Sequence, residues 1–94
     1  MGKYFVGSLC KNGLIGGGIT AEEDAITYHT GKVTVPKEIR RLVMKYEDIE
    51  GLTLDRLLIL PTVTVRMRGG GEYQFVVFGR NRFVSTLVEM GVKV

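Results

Sequence analysis

The chain has 94 residues, of which 45% are hydrophobic and 24% are charged, a composition typical of one globular domain over residues 1–94 and not of a disordered chain. Its formal net charge of +3 comes from 13 basic and 10 acidic residues, too small an excess to indicate nucleic-acid binding by itself. The single cysteine and single histidine exclude an internal disulfide and a Cys/His metal site.

The first third of the chain predicts three strands. Lys3–Leu9 is rich in aromatic and β-branched residues, which favour strands. Asn12 and Gly13 are a strong hairpin signal and lead to a second strand, Leu14–Thr20. Glycines inside this second strand predict a bulge or a sharp bend. A third strand, Ala25–Thr30, follows an acidic turn.

The middle of the chain predicts two further strands. Pro36 cannot donate a hydrogen bond in a central strand, so Val33–Glu38 is expected to be an edge segment or a loop. Ile39–Tyr46 is predicted as the fourth strand. Gly51–Ile59 is predicted as the fifth, and Pro61 is expected to end it.

The C-terminal part predicts two strands and a helix. Thr62–Arg68 alternates strictly between apolar and polar residues, and Tyr73–Val77 continues with the same period of two. Gly79 breaks this pattern, and from Arg80 the apolar spacing becomes helical until Gly91. The predicted apolar stripe of the helix comprises Phe83, Val84, Leu87 and Val88. The predicted shared core comprises Phe75, Val77, Phe83 and Leu87.

Seven short strands with turns about 8 to 12 residues apart favour an antiparallel sandwich or barrel. No long crossover helix is available to connect parallel strands. The single terminal helix must bury its stripe, and the open end of the bent sheet is the surface that the chain offers.

Three segments resemble motifs of the GRAM and related bacterial PH-like domains. Gly18–Thr20 followed by Ala25–Tyr28 is similar to a hairpin of that family, Lys45–Leu52 to a strand end, and Tyr73–Phe78 with the helix after it to the closing segment. The resemblance implies a mainly β, PH-like barrel of two near-orthogonal antiparallel sheets (seven strands), capped by one C-terminal α-helix.

The resemblance also implies a class of function. The family has no common catalytic residues, and its members bind lipids, peptides or proteins. We therefore expect a non-enzymatic PH-like, GRAM-type binding or adaptor module for protein–protein or membrane-surface association, with no catalytic residue, no cofactor and no metal site. No apolar run approaches the roughly 18 residues of a transmembrane segment, and no secretory leader is recognisable, so we expect a cytoplasmic protein.

A protein partner or self-association is the first expectation, an anionic membrane surface is the second, and nucleic acid is disfavoured. The membrane hypothesis depends on a cluster of five cations within fourteen residues, although loop and outward strand positions are also where solvated lysines and arginines normally lie. The predicted anionic-surface patch comprises Lys32, Lys37, Arg40, Arg41 and Lys45.

Two alternatives stay open. A self-associating structural module would use unpaired strand edges around Val33–Val35 and Gly51–Leu54, with Val43 facing outward between two cations. A small-barrel nucleic-acid binder would need aromatic residues between its arginines for base stacking, and the spacing of the nearby phenylalanines fits a core instead. The arginines concerned are Arg66, Arg68, Arg80 and Arg82.

The sequence contains several weaker candidate sites, and each also fits an ordinary structural role. The PH-family phosphoinositide site implies basic residues at the first hairpin, where only Lys11 matches. A phosphate could bind at the start of the helix, beside Arg80 and Arg82. The glycines of 16–21 lack the helix that a dinucleotide site requires. The remaining candidates are the carboxylates Glu22, Glu23 and Asp24, the imidazole of His29 and the thiol of Cys10.

Overall fold

The computed structural model describes residues 2–94 and is mainly β. A short helix, α1 (Lys37–Arg40), precedes the fourth strand, a 3₁₀ turn (Tyr46–Asp48) follows it, and a longer helix, α2 (Arg80–Glu89), lies near the C-terminus. The strands are β1 (Lys3–Cys10), β2 (Leu14–Ala21), β3 (Ala25–His29), β4 (Arg41–Lys45), β5 (Ile49–Leu57), β6 (Leu60–Met67) and β7 (Glu72–Val77).

The strands form one antiparallel sheet in the order β4-β3-β2-β1-β7-β6-β5. Five of the six pairings join strands that follow each other in the sequence, and the sixth joins β1 to β7. The β1–β7 pairing therefore joins an N-terminal group of four strands, β1 to β4, to a C-terminal group of three, β5 to β7. The prediction of seven antiparallel strands with one C-terminal helix is confirmed, and β4 and β5 are the two edges of the sheet.

Helix α2 packs its apolar side on the sheet. Phe83 and Leu87 are fully buried, together with Phe75 and Val77 of β7. The Phe83 ring meets the Phe5 ring edge-on, with centroids 5.1 Å apart, an arrangement that aromatic pairs prefer. The predicted four-residue core is confirmed.

The end of α2 explains why the helix stays docked. Gly91 adopts a left-handed conformation with φ of 91°, which costs glycine little. Its N–H donates to the Val88 carbonyl at 2.9 Å, and the Val92 N–H donates to the Leu87 carbonyl at 3.0 Å. This is a Schellman motif, and the buried Val92 side chain supplies its usual apolar contact. The predicted helix stop at Gly91 is confirmed.

Two positions in this region differ from the predicted pattern. Val88 is half exposed, and Thr86 is buried in its place. The Thr86 hydroxyl can be buried because it donates a hydrogen bond to the Arg82 carbonyl at 2.8 Å. Val76 was expected on the polar face of β7, but it is buried. It pairs with Thr62, which is also buried, and the Arg80 guanidinium reaches the Thr62 carbonyl there.

The predicted fourth strand, Ile39–Tyr46, is too long at both ends. Pro36 has φ of −56° and immediately precedes α1, a position at which proline fits the first turn of a helix. The Arg40 guanidinium donates to the Val33 carbonyl at 2.6 Å and to the Val35 carbonyl at 3.0 Å. These bonds hold residues 33–40 as a loop and a helical turn, so Val33–Val35 is no sheet edge.

The outward-facing residues of β4 agree with the prediction. Val43 is exposed, and Met44 beside it is buried. Arg41 and Lys45 are exposed on the same side as Val43.

The predicted fifth strand, Gly51–Ile59, ends two residues too late, and Pro61 does not end it. β5 stops at Leu57, and β6 already begins at Leu60. Pro61 is the second residue of β6, and β7 pairs with β6 only from Thr62 onward. A missing N–H is tolerated at the start of a strand, so Pro61 fits where the sequence pattern predicted a break.

Candidate functional site

The β5–β6 hairpin ends in a cluster of exposed apolar side chains. Leu57 pairs with Leu60, so Leu58 and Ile59 form a two-residue turn between the strands. Leu58 is 90% exposed and Ile59 is 89% exposed. We call Leu57–Leu60 the hairpin tip. Single exposed apolar residues are common on protein surfaces, but a contiguous group that projects from the sheet indicates a contact surface.

The backbone of the hairpin tip is unfavourable for its sequence. Leu58 has φ of 58°, a region that costs a non-glycine residue about 1–2 kcal/mol. The β1–β2 hairpin places Asn12 at φ of 53° and Gly13 at φ of 115°, and both residue types tolerate such angles. The chain therefore uses favourable turn residues in one hairpin and a bulky leucine in the other. Strain of this kind concentrates at functional sites.

The base of this hairpin is firmly held. The Arg80 guanidinium donates to the Asp55 carbonyl at 2.7 Å and lies 3.4 Å from the Thr62 carbonyl, which ties α2 to both strands. The Asp55 carboxylate accepts the backbone N–H of Arg56 at 2.8 Å. The strand register runs unbroken from Leu52 to Leu57. A hairpin built this way presents its tip in one orientation.

A groove lies behind the hairpin tip, between the start of β6 and the start of α2. Its volume is about 450 Å³. Arg56 pairs with Pro61 across the hairpin, so its side chain belongs to the same end of the sheet. The lining residues are Pro61, Gly79, Arg80, Asn81 and Arg82. A phosphate at the start of α2 stays a prediction, and its two predicted arginines do lie in this groove.

The hairpin tip is not apparent from the sequence pattern, because the predicted fifth strand runs through Ile59 whereas β5 ends at Leu57. One signal was available. Leu57 to Leu60 are four consecutive apolar residues, a run that cannot alternate between two faces of a half-buried strand. On an edge strand such a run must expose part of itself, and here it does so at a turn.

The predicted anionic-surface patch is spread over two ends of the sheet. Arg41 pairs with His29 at one end of β4, and Lys45 pairs with Ala25 at the other end, about 13 Å away at the usual rise of a strand. Arg40 is partly buried and engaged with loop carbonyls. Lys32 and Lys37 are exposed in the loop and in α1. Four of the five cations thus lie in the loop, in α1 and at the start of β4, and Lys45 lies at the far end of β4.

The four arginines considered for nucleic-acid binding have intramolecular partners, and that of Arg80 is described above. Arg66 forms an ion pair with Glu50 at 3.1 Å and also donates to the Thr53 hydroxyl. Arg68 donates to the Glu47 carbonyl at 2.9 Å. Arg82 lies over the Phe5 ring, 4.9 Å from its centroid. Phe5 is buried and presents no stacking face to a base. Of the two nearby phenylalanines expected in the core, Phe83 is buried but Phe78 is 55% exposed, so that expectation is wrong for Phe78. A single exposed ring does not alternate with several arginines as a surface for single-stranded nucleic acid requires, and nucleic-acid binding stays a disfavoured prediction.

The weaker candidates do not come together in a site. His29 is exposed, with its ring 6.5 Å from that of Tyr4. Cys10 is half-buried, and this burial raises the pKa of its thiol, which lowers its reactivity. Glu22 accepts a hydrogen bond from the Thr27 hydroxyl at 3.1 Å. Among residues 2–94, no cluster of three His, Cys, Asp or Glu residues could hold a metal ion. Gly16, Gly17 and Gly18 lie in β2, and the element after β2 is the strand β3 and not the helix that a dinucleotide site requires.

No protein-family model matches the chain, and no curated protein sequence matches it. Its structure is similar to the crystal structure of the C-terminal domain of an unknown protein from Leishmania infantum, with a TM-score of 0.78 and 10% sequence identity. The similarity covers 94% of this chain and 80% of the other. At this identity the likeness supports the fold alone. Within residues 2–94, no helix has the length and apolarity needed to cross a bilayer.

Proposed function

We propose that this chain is a non-enzymatic association module that attaches to membrane surfaces through its hairpin tip. The observation that supports this most is the near-complete exposure of two consecutive large apolar residues, Leu58 and Ile59, at the end of a paired hairpin. Within this proposal the chain works at the cytoplasmic leaflet, and the fold is a PH-like barrel of two near-orthogonal sheets.

Energetics favour insertion of the hairpin tip into an apolar environment. Fully burying a leucine or isoleucine side chain is worth about 1.5–3 kcal/mol. The two residues together therefore offer about 3–6 kcal/mol of affinity by the same scale. This gain exceeds the backbone strain at Leu58, which is present whether or not the hairpin tip is bound and therefore does not weaken binding. A protruding two-residue turn enters a bilayer interface without needing a complementary pocket.

Charge favours a membrane over an apolar protein groove. Arg56, Arg80 and Arg82 lie next to the hairpin tip, and Asp55 is the nearby carboxylate. Apolar residues flanked by cations match an interface in which acyl chains lie beneath phosphate groups. A protein partner is the alternative, and it is an outcome of the experiment described below.

Self-association through strand edges is less favoured by the side chains present. Antiparallel pairing of two β4 edges centred on Val43 would place Arg41 of one copy opposite Lys45 of the other, and like charges directly opposite destabilise a sheet. On β5, the Leu52 N–H already donates to the Lys93 carbonyl at 2.9 Å. The C-terminal segment thus covers part of that edge.

The substitution Leu58→Asn separates function from folding. Asparagine tolerates positive φ, so we expect the free energy of unfolding to rise by about 0.5–1 kcal/mol. Binding to phosphatidylcholine vesicles should fall about tenfold or more, because one inserted leucine side chain is lost. Vesicle co-sedimentation measures the binding, and denaturant unfolding measures the stability.

Val33→Asn is the matched control, since Val33 is exposed in the loop before α1. Its vesicle binding should equal that of the wild type. A wild-type chain that stays in the supernatant with every vesicle composition would discard the membrane proposal. If the wild type then forms dimers that Leu58→Asn dissolves, the hairpin tip is a protein contact instead.

A further inference from the structure

We propose that the cations flanking the hairpin tip select anionic lipid headgroups, and that Arg56 and Arg82 are the residues that contact the negatively charged groups of those headgroups. This inference rests on the proposed membrane attachment and names its lipid class. It assigns headgroup recognition to the β5–β6 end of the molecule and not to the lysine-rich region around Lys32 and Arg41.

Arg56 lies at the right depth in the bound state to meet lipid headgroups. A surface-bound apolar segment lies about 5–10 Å within the boundary between headgroups and acyl chains. Arg56 precedes Leu58 by two residues, which is about 7 Å along an extended strand. When Leu58 enters the acyl region, the Arg56 guanidinium is therefore placed at the level of the phosphates.

The guanidinium groups of Arg56 and Arg82 are available to bind an anion. Arg56 is exposed, and within residues 2–94 no ion pair joins Arg56 or Arg82 to a carboxylate. The Asp55 carboxylate accepts the backbone N–H of Arg56 and not its guanidinium. Arg82 contacts the Phe5 ring through a face of its guanidinium, which leaves N–H donors for a phosphate oxygen. Arg80 differs, because it is bonded to the Asp55 carbonyl and holds the hairpin in place.

The groove behind the hairpin tip brings the cations and the apolar turn to one surface. Arg82 lines the groove behind the hairpin tip, and Arg56 pairs with Pro61 of the same groove. The volume of about 450 Å³ leaves room for a phosphate group beside Arg82, and Arg56 lies at the Pro61 side of the groove. A free phosphate would leave Leu58 and Ile59 in water, whereas a phospholipid surface contacts the arginines and the apolar turn together.

The test compares two double substitutions that remove the same charge at opposite ends of the sheet. Arg56→Gln with Arg82→Gln should weaken binding to vesicles of phosphatidylcholine mixed with phosphatidylserine about 25-fold at about 0.1 M salt, about fivefold for each cation near an anionic surface. Binding to pure phosphatidylcholine vesicles should stay within about twofold, because uncharged vesicles offer no net attraction to lose. Circular dichroism and thermal unfolding verify that both double variants remain folded.

The control pair, Lys37→Gln with Arg41→Gln, should change binding to the mixed vesicles by no more than about twofold, because at about 0.1 M salt a charge more than about 10 Å from the surface is largely screened. Equal losses in the two pairs would show attraction by net charge alone and would overturn the assignment. So would an Arg56/Arg82 variant that binds mixed vesicles like the wild type. Either result is distinguishable from failure of the membrane proposal, in which Leu58→Asn has no effect on any vesicle.

A competition arm separates lipid from free phosphate. Inorganic phosphate should release the chain from mixed vesicles no more than sodium chloride does at the same ionic strength. A markedly greater release by phosphate would show a site for the free ion and would contradict recognition of a lipid surface.

Discussion

The substitution Leu87→Ala is expected to lower the free energy of unfolding by about 2–5 kcal/mol, the range for truncating a buried leucine. Leu87 is fully buried, and its carbonyl accepts the N–H of Val92 in the cap that ends α2. The substitution removes packing between the helix and the sheet and leaves a cavity at this junction. Chemical denaturation monitored by circular dichroism measures the loss.

Val88→Ala is the matched control, since Val88 is the next residue on the same helix and is half exposed. Alanine has the higher helix propensity, so the control should change the stability by less than about 0.5 kcal/mol. Similar losses at both positions would mean that the helix is not held by the buried face assigned to it.

Gly17→Ala is expected to destabilise the protein by about 1–3 kcal/mol, the range for overpacking a tight interior position. A methyl group at Gly17 would collide with the backbone carbonyl of His29 and would lie 3.0 Å from the Tyr28 ring. The Tyr28 hydroxyl donates to the Ile15 carbonyl at 2.6 Å, so this ring cannot move without breaking a buried hydrogen bond. β2 and β3 would have to separate to accept the methyl group.

Gly16→Ala tests whether the loss of stability in Gly17→Ala comes from a steric clash or from the replacement of a glycine as such. Within residues 2–94, a methyl group at Gly16 would have only the Ser8 hydroxyl oxygen within 4 Å, at 4.0 Å. Alanine there should be neutral or stabilising by up to about 1 kcal/mol, because it restricts the unfolded chain. If Gly16→Ala destabilised as strongly as Gly17→Ala, the close approach of β3 would not be the cause.

Period and turn chemistry in the sequence predicted most of the sheet. Asn12-Gly13 identified the first hairpin, and strict alternation identified β6 and β7. The change to helical spacing after Gly79 identified α2 to within a residue at its start. These signals are local, and the structure confirms them because the local preferences agree with the fold.

The errors arose where a side-chain hydrogen bond or the place of a strand within the sheet decides the outcome. The hydrogen bonds from Arg40 to Val33 and Val35 turn a predicted strand start into a loop and a helical turn. Val76 is buried because the central position of β7 places Thr62 and Ser8 beside it. Neither effect is visible in the spacing of apolar residues.

The candidate site was the least predictable part of the molecule. A basic cluster was visible in the sequence, but the sheet separates Lys45 from the other members by the length of β4. The hairpin tip contains no motif, and its distinguishing property is exposure, which depends on where the turn falls. The turn falls at Leu58 and Ile59 because Leu57 pairs with Leu60, a register that the sequence pattern did not indicate.

Attachment of the hairpin tip to a bilayer can be observed directly, because the chain contains no tryptophan. A single tryptophan introduced as Ile59→Trp would report on the hairpin tip, and one introduced as Val33→Trp would report on an exposed loop elsewhere. With mixed phosphatidylcholine and phosphatidylserine vesicles, the emission of the Ile59→Trp protein should shift to the blue and be quenched by brominated acyl chains, and that of the Val33→Trp protein should stay unchanged. Vesicle-bound protein with an unshifted and unquenched tryptophan at position 59 would contradict the proposed attachment.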